Sequence, residues 1–301
     1  MKLAVLGAGP AGAAVAALAA SRGHQAALWS PRGGGTRHLL GQLRTTGALA
    51  GAWPVRVAAD LGRAVEHAEL VMICLPGHVL PAVLHRLAAV LTGDPALILA
   101  PPGALAPLLL HRLAAARGIA TRIGAMPVPP VAAGRAADGA IHVTALREAL
   151  WLAALAPGQA AGLAKLAAAA FGPLPSLLPG LLAAALAEPG PLAAAAGLLA
   201  PGGVRRATLH LLASFAGERD ALATALGHDL PSLALLLGEG EPPVPRLEEA
   251  GAGLAFLEAM GRAARAEVPL IAAALRLLEV AAARRFSPHP VLAELDPRVL
   301  S

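Results

Sequence analysis

Short apolar runs alternate with stretches of helical composition through the first half of the chain. Such runs, bounded by glycine and other turn residues, are typical of strands buried in a parallel sheet. The predicted strands are residues 3–7, 25–30, 55–57, 70–75, 96–100, 120–125 and 140–143. The predicted helices are residues 10–22, a stretch between the glycines at 33–35 and residue 55, and residues 61–67, 79–91 and 105–117. This alternation predicts an α/β domain with a Rossmann-type, doubly wound parallel sheet.

The pattern changes after about residue 145. Long Ala/Leu stretches follow, interrupted by proline and glycine, and none of them predicts a strand. We therefore expect two domains, a dinucleotide-binding Rossmann domain over residues 1–150 and an all-helical substrate and dimerisation domain over residues 151–301. The apolar helices from 163 to 200 fit either a homodimer interface or the core of a monomer.

Composition narrows the range of partners. The net charge is +5, carried almost wholly by scattered arginines without interleaved aromatic residues, which disfavours nucleic acid and favours small anionic ligands. The single cysteine, Cys74, lies in an apolar run and is typical of a buried thiol in a reducing cytoplasm. Residues 167–187 are uncharged and long enough to span a bilayer, but their prolines favour a buried helix pair and no membrane contact. The glycines at 7–12 likewise favour a strand, turn and helix over a signal peptide.

The first turn carries the motif G-x-G-x-x-G. Gly7, Gly9, Pro10, Ala11 and Gly12 follow the first predicted strand and open the first predicted helix. In this context Gly7 permits a tight turn, Gly9 lets the backbone approach a pyrophosphate, and Gly12 allows close packing of helix and strand. The motif predicts a bound nicotinamide dinucleotide.

The end of the second predicted strand indicates which dinucleotide. An acidic residue there typically binds the ribose 2′-hydroxyl of NAD(H), and residues 28–32 contain no acid. Ser30 and Arg32 are instead suited to a 2′-phosphate, with Arg37 assisting. We therefore expect NADP(H), with NAD(H) as the alternative. Leu75, Pro76 and His78 follow the fourth predicted strand, at an edge of the sheet where ligands bind, so we expect them beside the cofactor as well.

The ordered set of motifs resembles the opine dehydrogenases of the octopine and nopaline type. The resemblance spans nearly the whole chain and rests on residues 7–12, 28–29, 75–78, 97–118, 217–227, and Arg262 followed by residues 267–269. It implies a Rossmann domain joined to a helical domain of the 6-phosphogluconate dehydrogenase type. It also implies NAD(P)H-dependent reduction of the imine formed by an amine or amino acid and a 2-oxo acid.

The resemblance also suggests site residues, with departures. The family's catalytic histidine lies in an Asn-Pro-x-x-His context, and the matching residues 189–194 contain neither Asn nor His. The family's catalytic aspartate corresponds to Glu267, which becomes the predicted acid or base. His210 is the candidate to replace the missing histidine. The predicted substrate-binding residues are Arg262, Arg205 and Arg206.

Two other interpretations stay open. One is a 2-oxo acid reductase with the architecture of ketopantoate reductase, which Lys165 favours and the absence of asparagine disfavours. The other is an NADP-binding protein that has lost catalysis. No spacing of Cys, His and acidic residues predicts a metal site.

Overall fold

The computed structural model describes residues 1–136, 139–200, 205–238 and 246–288. Over these residues the chain forms one eleven-stranded sheet and eleven helices. The strands are β1 (Lys2–Leu6), β2 (Gln25–Trp29), β3 (Gln42–Gly47), β4 (Gly51–Val57), β5 (Leu70–Ile73), β6 (Ala96–Leu99), β7 (Arg122–Ala125), β8 (Val131–Arg135), β9 (Ile141–Leu146), β10 (Trp151–Ala154) and β11 (Ser176–Leu177).

Five helices accompany the sheet and six form the second half. The first group comprises α1 (Pro10–Ser21), α2 (Leu61–Val65), α3 (Leu80–Val90), α4 (Ala106–Ala115) and α5 (Ala160–Phe171). The second comprises α6 (Leu181–Ala187), α7 (Gly190–Leu199), α8 (Arg205–Ala225), α9 (Leu233–Leu237), α10 (Leu247–Ala264) and α11 (Pro269–Ala282).

The centre of the sheet confirms the predicted Rossmann topology. The strand order is β11-β10-β7-β6-β5-β1-β2-β4-β3-β9-β8, and the strands from β7 to β4 in this order run parallel. The chain moves from β1 towards β2 and β4, then crosses to the other side of β1 to form β5. Ligands of such sheets bind at this crossover, beyond the carboxyl ends of the strands.

The predicted helix before residue 55 is wrong, because β3 and β4 form an antiparallel hairpin there. Side chains alternate between buried and exposed along β3, and Trp53 Nε1 donates a hydrogen bond to Thr45 Oγ1 at 2.9 Å across the hairpin. β-Branched and aromatic residues favour such a pleated, half-buried surface. Residues 47–52 are mostly alanine and glycine, so the alternation of apolar and polar residues that predicts two strands is not visible there.

The prediction of no strand after residue 145 is also wrong. β10 pairs antiparallel with β7, and β11 pairs parallel with β10 at the end of the sheet. Four apolar residues such as those of β10 have no periodicity that separates a strand from a helix. From Leu181 onwards the described chain contains helices and no strand.

The helices of the second half pack tightly around α10. A Cβ atom on Gly253 would lie 2.2 Å from the Cβ of Pro191, so α7 and α10 are nearly in backbone contact. The helical stretch Leu181–Leu199 is long and apolar enough to cross a membrane by length and composition, but 72% of it is buried within the chain. The uncharged residues 167–187 divide among α5, β11 and α6, with the prolines between them.

Candidate functional site

A cavity of about 920 Å³ lies at the carboxyl edge of the sheet, next to the crossover between β1 and β5. Its floor is formed by the residues that follow β1, β2, β5 and β6. Its opposite wall comes from the start of α7, the first half of α10 and residues 284–287. The cavity therefore lies between the sheet and the helical half of the chain.

The glycine turn forms the floor at its centre. Gly7 has a φ of +122°, and a Cβ atom there would lie 2.1 Å from the carbonyl oxygen of Cys74, at the end of β5. A Cβ atom on Gly12 would lie 2.0 Å from the carbonyl oxygen of Gly7. A Cβ atom on Gly9 would have no atom of another part of the chain within 4 Å. The turn is thus packed against the protein at Gly7 and Gly12 and left open to the cavity at Gly9.

Helix α1 begins at this turn and presents its free amides there. Gly9 is the N-cap, no side chain caps the helix, and Pro10 occupies the first helical turn. The first N–H groups of a helix have no partner within the helix, and they carry a partial positive charge. The first turn of α1 contains no acidic residue. This arrangement favours an anion such as a phosphate.

The end of β2 supplies polar groups on one side of the turn. Ser30 and Arg32 line the cavity, next to the buried Trp29. Arg37 does not line it, and the Arg37 guanidinium donates to the carbonyl oxygen of Arg32 at 3.5 Å. Ser30 and Arg32 therefore lie at the cavity, and Arg37 lies behind Arg32.

Residues after β5 and β6 complete the floor. Leu75, Pro76 and His78 line the cavity, with His78 exposed in a short 3₁₀ turn over Gly77–Val79. Gly103 and Ala104 follow β6 and also line it. Both have a left-handed backbone, with φ values of +56° and +57°. Such a conformation is strained for an alanine, and strain of this kind is concentrated at functional sites.

The structure does not bring the five predicted catalytic and substrate-binding residues into this cavity. Glu267 is exposed in the segment between α10 and α11, and His210 is exposed on α8. Arg262 is 70% exposed and pairs with Glu258 at 3.7 Å. Arg205 and Arg206 are exposed at the start of α8.

Helix geometry explains the position of Arg262 and Glu267. The cavity is lined by α10 residues up to Leu257, with its charged residues at the first turn. From Glu249 to Arg262 the helix rises by roughly 20 Å, because each residue adds about 1.5 Å. Glu267 lies farther still along the chain, and the following helix is fixed there by Glu218, whose carboxylate accepts N–H bonds from Leu270 and Ile271 at 2.7 and 2.8 Å.

Three carboxyl groups that the sequence did not single out line the cavity instead, and two of them, Glu188 and Glu249, lie close enough for their charges to interact. Glu188 directly follows α6, and its carboxylate accepts hydrogen bonds from the backbone N–H groups of Gly103 and Ala104. Glu249 lies at the start of α10, and a Cβ atom on Gly190 would lie 2.6 Å from its Oε1. The two acidic side chains therefore lie close together at the junction between α6 and α7.

Burial and charge raise the pKa of the Glu188 carboxyl to about 8. Burial is the largest cause, the negative charge of Glu249 adds to it, and the N–H groups of Gly103 and Ala104 oppose it. The side chain of Glu249 is accessible to solvent, but protein atoms surround its carboxyl group at the cavity mouth. Desolvation raises the pKa of Glu249, and the charge of Arg246 lowers it. Such a pair holds one proton at neutral pH more readily than it holds two charges.

Charged groups surround the mouth of the cavity. Arg246, Glu248, Arg284 and Arg285 line it, and Arg284 pairs with Glu248. Arg285 pairs with the buried Glu279 at 2.8 Å. These contacts tie residues 284–287 to α10 and α11.

The signal for Glu188 was present in the sequence. Glu188 is the only charged residue between Lys165 and Arg205. An isolated carboxyl within such an apolar stretch is exceptional, because burying a charge without a partner is costly. The resemblance to the opine dehydrogenases instead draws attention to the following residues, 189–194, where that family has its histidine.

Comparisons with known proteins agree with this architecture. A family model described as NAD-dependent glycerol-3-phosphate dehydrogenase N-terminus matches residues 2–113. A search of curated proteins finds no match to the chain.

Several solved structures share the fold over nearly the whole chain. Octopine dehydrogenase with NADH and L-arginine is 14% identical, covers 94% of this chain and 90% of its own, and has a TM-score of 0.70. Yersinopine dehydrogenase with NADP⁺ bound is 16% identical and covers 99% and 96%, with a TM-score of 0.66. A ketopantoate reductase from Ralstonia solanacearum MolK2, itself described as putative, is 17% identical and covers 93% and 97%, with a TM-score of 0.70. The predicted resemblance to the opine dehydrogenases is thus confirmed in the fold, which the ketopantoate reductases also share.

Proposed function

We propose that this chain is an NADP(H)-dependent oxidoreductase that reduces an imine formed from an amine or amino acid and a 2-oxo acid. The observation that carries the proposal is the glycine turn, which is closed against the protein at Gly7 and Gly12 and open to a large cavity at Gly9. A nicotinamide dinucleotide is the ligand that such a turn accepts at the start of a Rossmann helix.

The residues of the turn fit the cofactor. Free N–H groups at the start of α1 would hold the pyrophosphate, and the absence of a side chain at Gly9 leaves room for it. Ser30 and Arg32 would hold the 2′-phosphate that separates NADP(H) from NAD(H), and no acidic residue at the end of β2 would repel it. The reduced nicotinamide supplies a hydride when bound.

The cavity offers space and charge for a second ligand beside the cofactor. Its volume of about 920 Å³ is at the upper end of the range for small-molecule sites. Arginines suited to carboxylates and carboxyl groups suited to an amine both line its mouth. A substrate that carries both kinds of group is consistent with this lining, and the fold shared with octopine and yersinopine dehydrogenases supports the same reaction class.

A 2-oxo acid reductase is the second candidate. It is favoured by the ketopantoate reductase structures, one of which matches this chain with the same TM-score as octopine dehydrogenase and with similar coverage. Lys165 offers it no support, since this residue is exposed on α5 and does not line the cavity. The third interpretation, a binding protein without catalysis, is weakened by the carboxyl pair in the cavity.

Loss of NADPH absorbance distinguishes these candidates. The protein is mixed with NADPH and a panel of 2-oxo acids, each tested alone and with an excess of amines or amino acids. We expect turnover with pairs only. Turnover with the oxo acid alone would support the second candidate, and NADPH binding without turnover on any substrate would support the third.

A further inference from the structure

We propose that Glu188 is the proton donor of the reduction, and that the backbone of Gly103 and Ala104 holds it in place; this inference rests on the proposed function. Glu188 reaches the cavity from the end of α6, where Pro189 ends the helix. Its carboxylate accepts hydrogen bonds from two consecutive N–H groups in the loop after β6. The carboxyl group is thus fixed at the junction of the helical wall and the edge of the sheet.

Other titratable groups of the cavity are less suited to this role. His78 is exposed in a 3₁₀ turn, and Glu248 is exposed and pairs with Arg284. Desolvation raises the pKa of the Glu249 carboxyl group, but the positive charge of Arg246 beside it lowers that pKa. Burial raises the pKa of the Cys74 thiol to about 12, which makes it a weak acid. Among the described residues that line the cavity, Glu188 is the partly buried carboxyl group held by backbone amides.

The protonation state of Glu188 matches the requirement. A proton donor must be protonated at the working pH, and acids with a pKa near that pH are the most effective. Burial and the charge of Glu249 raise the pKa of Glu188 from its ordinary value of 4.5 to about 8, so it is largely neutral at pH 7. The other charged or titratable groups that line the cavity are Arg32, Cys74, His78, Arg246, Glu248, Arg284 and Arg285.

The step balances with one hydride and one proton. A bound reduced nicotinamide would supply a hydride, and with it both electrons, to the carbon of the C=N bond. The Glu188 carboxyl gives its proton to the nitrogen as the π bond breaks, so that a C–H and an N–H bond form. Glu188 is left as a carboxylate, stabilised by the N–H groups of Gly103 and Ala104, and takes up a proton from solvent through the open cavity.

The test compares Glu188→Gln with Glu148→Gln, an exposed glutamate between β9 and β10 that does not line the cavity. Glutamine keeps an oxygen that can accept from Gly103 and Ala104 but has no acidic proton. We expect NADPH affinity within about threefold of the wild type in both variants. We expect single-turnover reduction to fall about 100-fold or more in Glu188→Gln and to stay unchanged in Glu148→Gln.

A second readout does not depend on activity. Because the folded-state pKa of Glu188 is raised, its neutral form adds stability that is fully present below pH 4.5 and lost as pH rises through about 8. In thermal unfolding of the ligand-free proteins, the Tm of Glu188→Gln should therefore rise relative to the Tm of the wild type between pH 5 and pH 9. Equal pH dependence in the two proteins would mean that Glu188 does not hold the proton.

Glu249→Gln keeps the proposal testable if Glu188→Gln does not fold. Removing the neighbouring negative charge should lower the pKa of Glu188, so the alkaline fall in the wild-type reduction rate should move to lower pH. Unchanged turnover in Glu188→Gln, or an alkaline fall that does not move in Glu249→Gln, would overturn the role of Glu188 alone. Failure of the wild type to bind NADPH would instead overturn the proposed function.

Discussion

A Cβ atom on Gly12 would lie 2.0 Å from the carbonyl oxygen of Gly7, although five residues separate them in the chain. Helix α1 therefore crosses the end of β1 so closely that only glycine fits at position 12. Gly9 lies between the two, and a Cβ atom there would contact no other part of the chain within 4 Å. One turn thus combines a position that the fold requires with a position that a ligand would require.

The substitution Gly12→Ala should destabilise the protein. The new methyl group would have to displace the backbone of Gly7 or the helix itself, and overpacking of this kind costs about 1–3 kcal/mol. Chemical denaturation measures the loss, with Gly9→Ala as the matched control. Gly9→Ala should cost at most about 0.5 kcal/mol, since its methyl group projects into open space, the φ of −69° suits alanine, and alanine restricts the unfolded chain more than glycine does. Equal losses in both variants would mean that the turn is not packed as described.

Arg32→Ala should weaken NADPH far more than NADH. Arg32 lines the cavity at the end of β2, where a charge-assisted bond to the 2′-phosphate is worth about 1.5–3 kcal/mol, or roughly 10- to 150-fold in Kd. Fluorescence titration with both dinucleotides measures the effect. Arg37→Ala is the control, because Arg37 lies outside the cavity and should change either affinity less than threefold. Parallel weakening of NADPH and NADH by Arg32→Ala would argue against 2′-phosphate recognition.

Cys74 provides a chemical probe of the cavity floor. Burial raises the pKa of its thiol to about 12, so at pH 8 the thiolate fraction is about 1,000-fold below that of a free cysteine. A thiolate of higher pKa is also more nucleophilic, which offsets part of this factor, so alkylation by iodoacetamide at pH 8 should be roughly 30-fold or more slower in the native protein than in the urea-unfolded chain. Because the chain has one cysteine, mass spectrometry reads the rate directly. Comparable rates in the two states would place the thiol in contact with solvent as a thiolate.

Glu218 tests how the helices behind the cavity are held together. Its carboxylate accepts N–H bonds from both Leu270 and Ile271 at the start of α11, 52 and 53 residues away. Glu218→Ala should cost about 1–2 kcal/mol, as for the loss of other helix N-caps. Glu267→Ala, at an exposed position in the adjoining segment, should cost less than about 0.5 kcal/mol by the same denaturation measurement. A loss in Glu218→Ala no larger than that of the control would show that the cap contributes nothing.

The sequence was informative where one local pattern had one structural solution. A glycine motif between an apolar run and a helix predicts the first Rossmann unit, and Gly7, Gly9 and Gly12 lie at the cavity as expected. The short apolar runs of β1, β5 and β6 are flanked by turns, which fixes their length and type. The positions of Ser30 and Arg32 could be predicted in the same way, because β2 pairs with β1 and therefore ends beside the glycine turn.

The rest depended on contacts between distant residues. Glu188 and the loop of Gly103 and Ala104 are more than 80 residues apart, and the sequence of neither segment predicts that they are in contact. Family resemblance predicts Glu267 and the composition of α8 predicts His210, but neither indicates which end of a helix lies next to the sheet. The hairpin of β3 and β4 was missed for a related reason, because its pairing partners lie across a turn of low-complexity sequence.

A nicotinamide dinucleotide should bind at the open position of the glycine turn, next to Gly9. Calorimetric titration of NADPH into the wild type and Gly9→Ala measures this binding, after circular dichroism has confirmed that both are folded. We expect saturable binding to the wild type at one site per chain, and at least tenfold weaker binding to Gly9→Ala. No binding to the wild type, or equal affinity in the two proteins, would show that the dinucleotide does not lie on this turn.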